Sequence, residues 1–180
     1  MRTVNGIEPG DKAPSFNLPN ANEEHGDSQV SLTEAIGEKG GIVMFTCNHC
    51  PYVVASESRI EAMATMARGL GLGFVGINSN DPVRYTSDDW EHMVERASKG
   101  MSYPYLQEVA IAYGAERTPE FYLISGDLDV LYRGRLDDSP RDPSNVTTSD
   151  LEVALSQYVA GERIKIPRTE SIGCSVKWIE

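Results

Sequence analysis

Two cysteines separated by two residues, Cys47 and Cys50, have the type and spacing for thiol chemistry. In Cys47-Asn48-His49-Cys50 the sulfurs stand one helical turn apart. They can close into a small disulfide and reopen by exchange. A helix starting at this point would aim its free N–H groups and its positive dipole end at the sulfurs. The pKa of Cys47 should then fall below the free-thiol value of about 8.5. His49 adds partial positive charge beside the pair and pushes the same way. Zinc is the rival use of such a pair, but a structural site needs two more ligands. His25, His49, His92 and Cys174 are scattered singly, so no metal site is expected. A loop holding two idle cysteines is the third option. The C-x-x-C beside a βαβ pattern favours redox work.

The elements that must position this pair can be read around it. Gly41 to Thr46 (GIVMFT) is a continuous apolar run, suited to a strand buried on both faces. After the dithiol, Val53, Ile60, Met63, Ala67 and Leu70 recur at helical spacing. Gly71 to Asn78 reads as the next buried strand. Thr86 or Ser87 is expected to cap a helix that presents Trp90, Met93, Val94 and Ala97 on one side. Gln107 to Tyr113 reads as a shorter helix closed by Gly114. EFYLIS and DVLYRG, joined by a tight turn, read as an antiparallel hairpin. Ser149 to Glu152 has the pattern of a capping box and should open a last helix through Leu151, Ala154, Leu155, Tyr158 and Val159. Towards the N-terminus, Ala13 to Pro19 reads as a short strand and Ser31 to Ile36 as a helical turn. Two βαβ passages require parallel pairing with right-handed crossovers. The expected α/β architecture is a mixed central sheet with helices on both faces.

At 180 residues, 40% hydrophobic and 24% charged, the chain has the size of one domain spanning 1–180. A net charge of −11 argues against nucleic-acid binding, which needs clustered Lys and Arg. No stretch has the length of a signal-peptide core or a membrane span, so a cytoplasmic location and no membrane contact are expected. Three cysteines are too few, and the wrong parity, for a disulfide framework.

GDKAPSFNLP, FTCNHCPY and RTPEFYLI together resemble the redoxin branch of the thioredoxin superfamily, which includes peroxiredoxins and thiol-disulfide reductases. GRLDDSP and the terminal GCSVKW further resemble a peroxiredoxin-like thioredoxin group, described as thiol-disulfide isomerases or thioredoxins. The resemblance implies a thioredoxin-like fold with a redoxin-type N-terminal extension. It implies an exposed nucleophile at Cys47 and a resolving thiol at Cys50. Pro119 is then a cis-proline facing the dithiol, with Thr118 touching the sulfurs and the backbone edge beside it free for a substrate strand. The partners implied are a protein disulfide and an external thiol reductant, with no cofactor.

The chain departs from that pattern in one respect: thioredoxins keep a buried carboxylate six residues before the first cysteine, and related reductases a Glu six residues after it. Here these positions are Gly41 and Val53. No general base for Cys50 is evident, leaving His49, water or the substrate to move the proton. A thiol peroxidase is the first alternative, because Cys50-Pro51 matches a peroxidatic Cys-Pro step. Its activating Thr would stand three residues earlier, however, where the chain has Cys47 before Cys50 and Met44 before Cys47. Thr118-Pro119 stands where its Arg would be, with Arg117 adjacent. A non-enzymatic binding module on the same fold is the second alternative.

Other polar residues have two readings each. Arg133, Arg135, Asp137 and Asp138 would line a substrate groove or form a solvated loop. Asn78, Asn80 and Asp81 follow a parallel strand, where α/β folds place ligands, and equally suit a turn. His25 and His92 read as surface residues. Cys174 is either an inert thiol in a packed tail or an accessory thiol near the dithiol. The tail from Gly161 shows no strand or helix of its own.

Overall fold

The computed structural model describes residues 6–108 and 112–178. An N-terminal hairpin pairs β1 (Asn17–Pro19) with β2 (Gln29–Ser31) and leads into α1 (Leu32–Ile36). Ser31 caps α1, and Glu34 reaches back to the Ser31 N–H, completing a capping box. Next come β3 (Gly40–Thr46), α2 (Pro51–Gly69), β4 (Gly73–Asn78), α3 (Trp90–Ala97) and β5 (Tyr105–Gln107). The chain continues through β6 (Arg117–Thr118), β7 (Glu120–Ser125), β8 (Val130–Gly134), α4 (Asp150–Val159) and β9 (Cys174–Ser175).

The five-stranded sheet has the order β5-β4-β3-β7-β8. Strand β3 lies parallel to β4 and antiparallel to β7; β5 is parallel to β4, and β8 antiparallel to β7. Both βαβ crossovers expected from the sequence are present. Because strand side chains alternate, β3 feeds two cores. Ile42 and Met44 join Phe74, Phe121 and Leu123 under α2, α3 and α4. Val43 and Phe45 join Val75, Ile77, Tyr122 and Ile124 under α1. Each such side chain, fully buried, contributes about 1.5–3 kcal/mol, which makes this central strand a rigid mount for the dithiol at its end. This is the thioredoxin-like α/β fold, with, among the described residues, one short α-helix on one face and three on the other.

Four local expectations are corrected. Tyr105–Gln107 is a strand because it finds the open edge of β4; the rest of the expected helix includes residues 109–111, which lie outside the described residues. Asp89, not Thr86 or Ser87, caps α3, its side chain accepting from the His92 N–H; Thr86–Asp88 form a 3-10 turn. Ser149 makes no side-chain cap, and the acid at the start of α4 that finds a partner is Asp150, 2.8 Å from Arg135. The tail does contain a strand: β9 pairs antiparallel with β6, Cys174 opposite Thr118.

Candidate redox site

Strand β3 ends at Thr46, and the chain turns through the dithiol into α2. Cys50 is the residue at the N-cap position, with Pro51 the first residue of the helix, where its missing N–H costs nothing. Both thiols are reduced and enclosed, at 1% exposure for Cys47 and none for Cys50. The Thr118–Pro119 bond is cis, and Thr118 touches both sulfurs. Its hydroxyl lies 3.5 Å from Cys47 Sγ and its carbonyl 3.1 Å from Cys50 Sγ. The structure thus brings Cys47, Cys50, Thr118 and Pro119 together, but Cys47 is not exposed as the resemblance implied.

The electrostatics also differ from expectation. Cys50 is held below the ordinary thiol range, chiefly by the Cys47 thiol donating to it, then by the side chain and N–H of Cys174 and the N–H of Val53. Cys47 is pushed up by that same shared proton, by burial and by the nearby Asp88 carboxylate, with the Thr118 hydroxyl opposing. The Thr118 carbonyl disfavours charge on Cys50, but several donors outweigh one acceptor. The directions of the two shifts make Cys50 the more acidic thiol of the pair. After the Cys47 thiol, the contributors are a tail that the spacing of the pair does not reveal and the helix start, through the Val53 N–H.

Asp88 is a functional candidate that the sequence pattern does not single out. It is fully buried. Its Oδ1 accepts from the Asn48 N–H at 2.7 Å and from Asn78 Nδ2 at 3.0 Å; its Oδ2 accepts from Asn80 Nδ2 at 2.9 Å and meets His49 Nδ1 at 2.6 Å. His49 also lies against Ser87 Oγ at 3.2 Å and stacks on Tyr85. Its ring is partly open to a cleft whose wall includes Asn48, Ser87, His92 and Arg96. Ligand-type atoms of Cys47, His49 and Asp88 lie within 4.8 Å of one another. This is a sulfur, an imidazole and a carboxylate in mutual reach, so His49 is not isolated as its place in the sequence suggests. The carboxylate oxygens are already shared among four donors, an arrangement that orients the imidazole.

The departure at Gly41 has a steric cause. A Cβ there would sit 2.5 Å from the Gly73 carbonyl oxygen on β4, so no carboxylate fits. Val53 is buried in the apolar core beside α2. The buried acid near the sulfurs comes instead from the segment between β4 and α3. Asn78 and Asn80 serve it, while Asp81 makes a turn, accepting from the Val83 N–H. Of the four residues read as a groove or a solvated loop, Asp137 lines a pocket with Arg59, Met63, Met66 and Leu136, whereas Arg135 pairs with Asp150 at 2.8 Å. Arg133 is buried against Glu120, Asp137 pairs with Arg59 at 3.0 Å, and Asp138 binds Thr147 and Thr148. His25 is exposed, and His92 pairs on the surface with Asp89.

The free backbone edge expected at Thr118 is taken. Antiparallel β9 lies along it, and the Val176 N–H extends the pairing to the Glu116 carbonyl at 3.1 Å. Gly173 permits this approach, because a Cβ there would collide with the Thr118 carbonyl.

Residues 9–133 match the AhpC/TSA family, and the chain belongs to it. It is 36% identical to an uncharacterized conserved protein from Geobacillus kaustophilus, over 97% of this chain and 94% of that one, with a TM-score of 0.88. A hypothetical protein from Sinorhizobium meliloti 1021 is 31% identical over 97% of both chains, with a TM-score of 0.85. The thioredoxin domain of a thiol-disulfide oxidoreductase from Bacteroides vulgatus shares the fold at 16% identity, over 71% of this chain and 88% of that one, TM-score 0.54. No curated protein matches the chain. Among the described residues, no helix is long and apolar enough to cross a membrane.

Proposed function

We propose that this redoxin is a thiol-disulfide oxidoreductase acting on protein disulfides, with Cys47 the attacking thiol and Cys50 the resolving one. One observation carries the reading: two reduced thiols sit at a strand-to-helix junction, and Thr118 contacts both. A substrate strand seated on the Thr118 edge must displace β9. Cys50 then loses the influence of Cys174 and keeps its donation to the Thr118 carbonyl, which moves negative charge to Cys47. The His49–Asp88 pair, within 4.8 Å of Cys47, takes up its proton directly or through one water. The Cys47 thiolate attacks one substrate sulfur, and the other substrate sulfur leaves as a thiolate. Cys50 then attacks Cys47, releasing the second substrate thiol and closing the 47–50 disulfide. An external thiol reductant restores the pair.

Peroxide chemistry has weaker support. A thiol peroxidase uses a cation at its sulfur, and Arg96 instead donates to the Cys47 carbonyl oxygen at 2.6 Å while pairing with Glu57. Parallel assays of insulin-disulfide reduction and peroxide consumption, on wild type, Cys47→Ser and Cys50→Ser, separate the two. Disulfide reduction should be lost in both variants and peroxide turnover should be slow throughout. Rapid peroxide consumption that survives Cys47→Ser but not Cys50→Ser would refute the proposal.

A further inference from the structure

The dithiol is closed to solvent, whereas Cys174, the third thiol, is half-buried and so partly reachable. Strand register puts Cys174 directly opposite Thr118, the residue that touches both sulfurs of the pair. Residues facing each other in an antiparallel pair have Cα atoms about 4.5–5.5 Å apart, so Cys174 lies beside the backbone that contacts both sulfurs. Cys174 packs against the core cluster that contains Cys47 and Cys50, and Cys47 on one side and Cys174 on the other both favour the charged form of Cys50. Cys50 is therefore the middle sulfur of three.

The tail is fastened at this place. The Val176 N–H bonds Glu116, the Lys177 N–H donates to Asn80 Oδ1 at 2.8 Å, and the Asp81 N–H donates to the Lys177 carbonyl at 2.6 Å. Val176 and Trp178 join the core on the α1 face. Cys174 instead packs on the other core, the one that contains Cys47 and Cys50.

We propose that Cys174 is a redox-active third thiol that moves the disulfide from Cys47–Cys50 to Cys50–Cys174, where an external reductant can reach it. This rests on the exchange function proposed above. The Cys174 thiol gives its proton to solvent, and its thiolate attacks Cys50 Sγ. The Cys50–Cys174 bond forms and the Cys47–Cys50 bond breaks. The electron pair leaves on Cys47, which is reprotonated through His49 and Asp88. That step is redox-neutral within the chain. An external thiol then attacks Cys174, and a second equivalent completes its oxidation to a disulfide, delivering two electrons and regenerating three thiols. Burial, then contact with Cys50, pushes the Cys174 pKa up to about 11, so at rest Cys174 is protonated and acts as donor.

The test uses the full chain as wild type, Cys47→Ser, Cys174→Ser and Gly173→Val, with circular dichroism to verify folding. Each protein is oxidised with one equivalent of diamide and alkylated, and its disulfides are mapped by mass spectrometry. Cys47→Ser should yield the 50–174 disulfide, and wild type should contain it beside 47–50. Gly173→Val keeps every thiol but clashes with the Thr118 carbonyl, so it should lower the 50–174 yield and retain 47–50. In insulin reduction driven by glutathione, Cys174→Ser should turn over about tenfold more slowly, with the 47–50 disulfide accumulating. Absence of the 50–174 disulfide in folded Cys47→Ser overturns the inference, as does wild-type turnover by Cys174→Ser. If wild type fails to reduce insulin, the proposed function fails. The disulfide map then still decides this inference, the 50–174 bond supporting it and its absence overturning it.

Discussion

Two buried carboxylates flank the dithiol, Glu120 on the β7 side and Asp88 on the β4 side, and their charges are balanced by different means. Glu120 Oε1 pairs with buried Arg133 at 2.7 Å, while its Oε2 accepts the Glu116 N–H at 2.7 Å and the Arg117 N–H at 3.3 Å. Arg133 is completed by Glu8 at 2.9 Å and the carbonyls of Ile7 and Gly114. That charge is fully compensated by a permanent cation, and its effect is to hold the β6 loop in place. Asp88 is held by amides and one imidazole, which solvate the carboxylate without cancelling it. Its field reaches Cys47. The first arrangement builds and the second acts on a thiol, a difference that comes from the identity of the partners rather than from depth of burial.

Removing the cation from the building site should have the largest effect. Arg133→Met leaves Glu120 buried and unpaired, and the folded state should lose about 3–5 kcal/mol in urea unfolding. The double variant with Glu120→Gln should recover much of that loss. Equal losses in single and double variants would mean that the pair is not compensating charge and would break the contrast with Asp88.

Glu108 extends the comparison to a carboxyl with less still, since its side chain is held by Ser79 Oγ at 3.1 Å. Burial pushes its pKa up to about 7. Between about pH 4.5 and 7 the folded chain then holds a proton that the unfolded chain has lost, so stability falls as pH rises through this window. Glu108→Gln should flatten that slope and gain up to about 3 kcal/mol above pH 7, since each pKa unit corresponds to about 1.4 kcal/mol. Urea midpoints at pH 5 and 8 check this. An unchanged pH dependence would place the titration elsewhere.

The smallest effect on folding, and the most informative one for chemistry, is expected at Asp88. Asp88→Asn removes the charge that raises the Cys47 pKa, so thiolate should form at lower pH. It also removes the group that orients His49, so the plateau rate of insulin reduction should fall about tenfold. An acid shift of the rate profile with an undiminished plateau would leave Asp88 an electrostatic role alone.

The working strands and the dithiol were legible because they rest on local signals. GIVMFT, GLGFVGIN and EFYLIS are apolar runs long enough to declare themselves, and C-x-x-C fixes its own spacing. Asp88 was not legible, being one of 27 acidic residues and distinguished only by a fold that carries it over Asn48. Strand β9 is two residues long and exists because an edge awaits it. The same holds for Tyr105–Gln107, three residues that β4 pairs into a strand and whose last, Gln107, was expected to begin a helix. At Ser149 the sequence pattern of a cap was present, but its side chain makes no cap hydrogen bond, and the helix start is tied instead through Asp150 to Arg135.

Asn80 ties these distant pieces to each other. Its amide nitrogen holds Asp88 and its amide oxygen holds the backbone of Lys177, so one side chain reads both the tail and the dithiol's acidic neighbour. Thermodynamic linkage makes such a tie reciprocal. Whatever factor separates the tail's affinity for its edge in the oxidised and reduced chains must equally separate the reduction potentials of the docked and undocked chains. Docking and electron transfer are two readings of a single equilibrium.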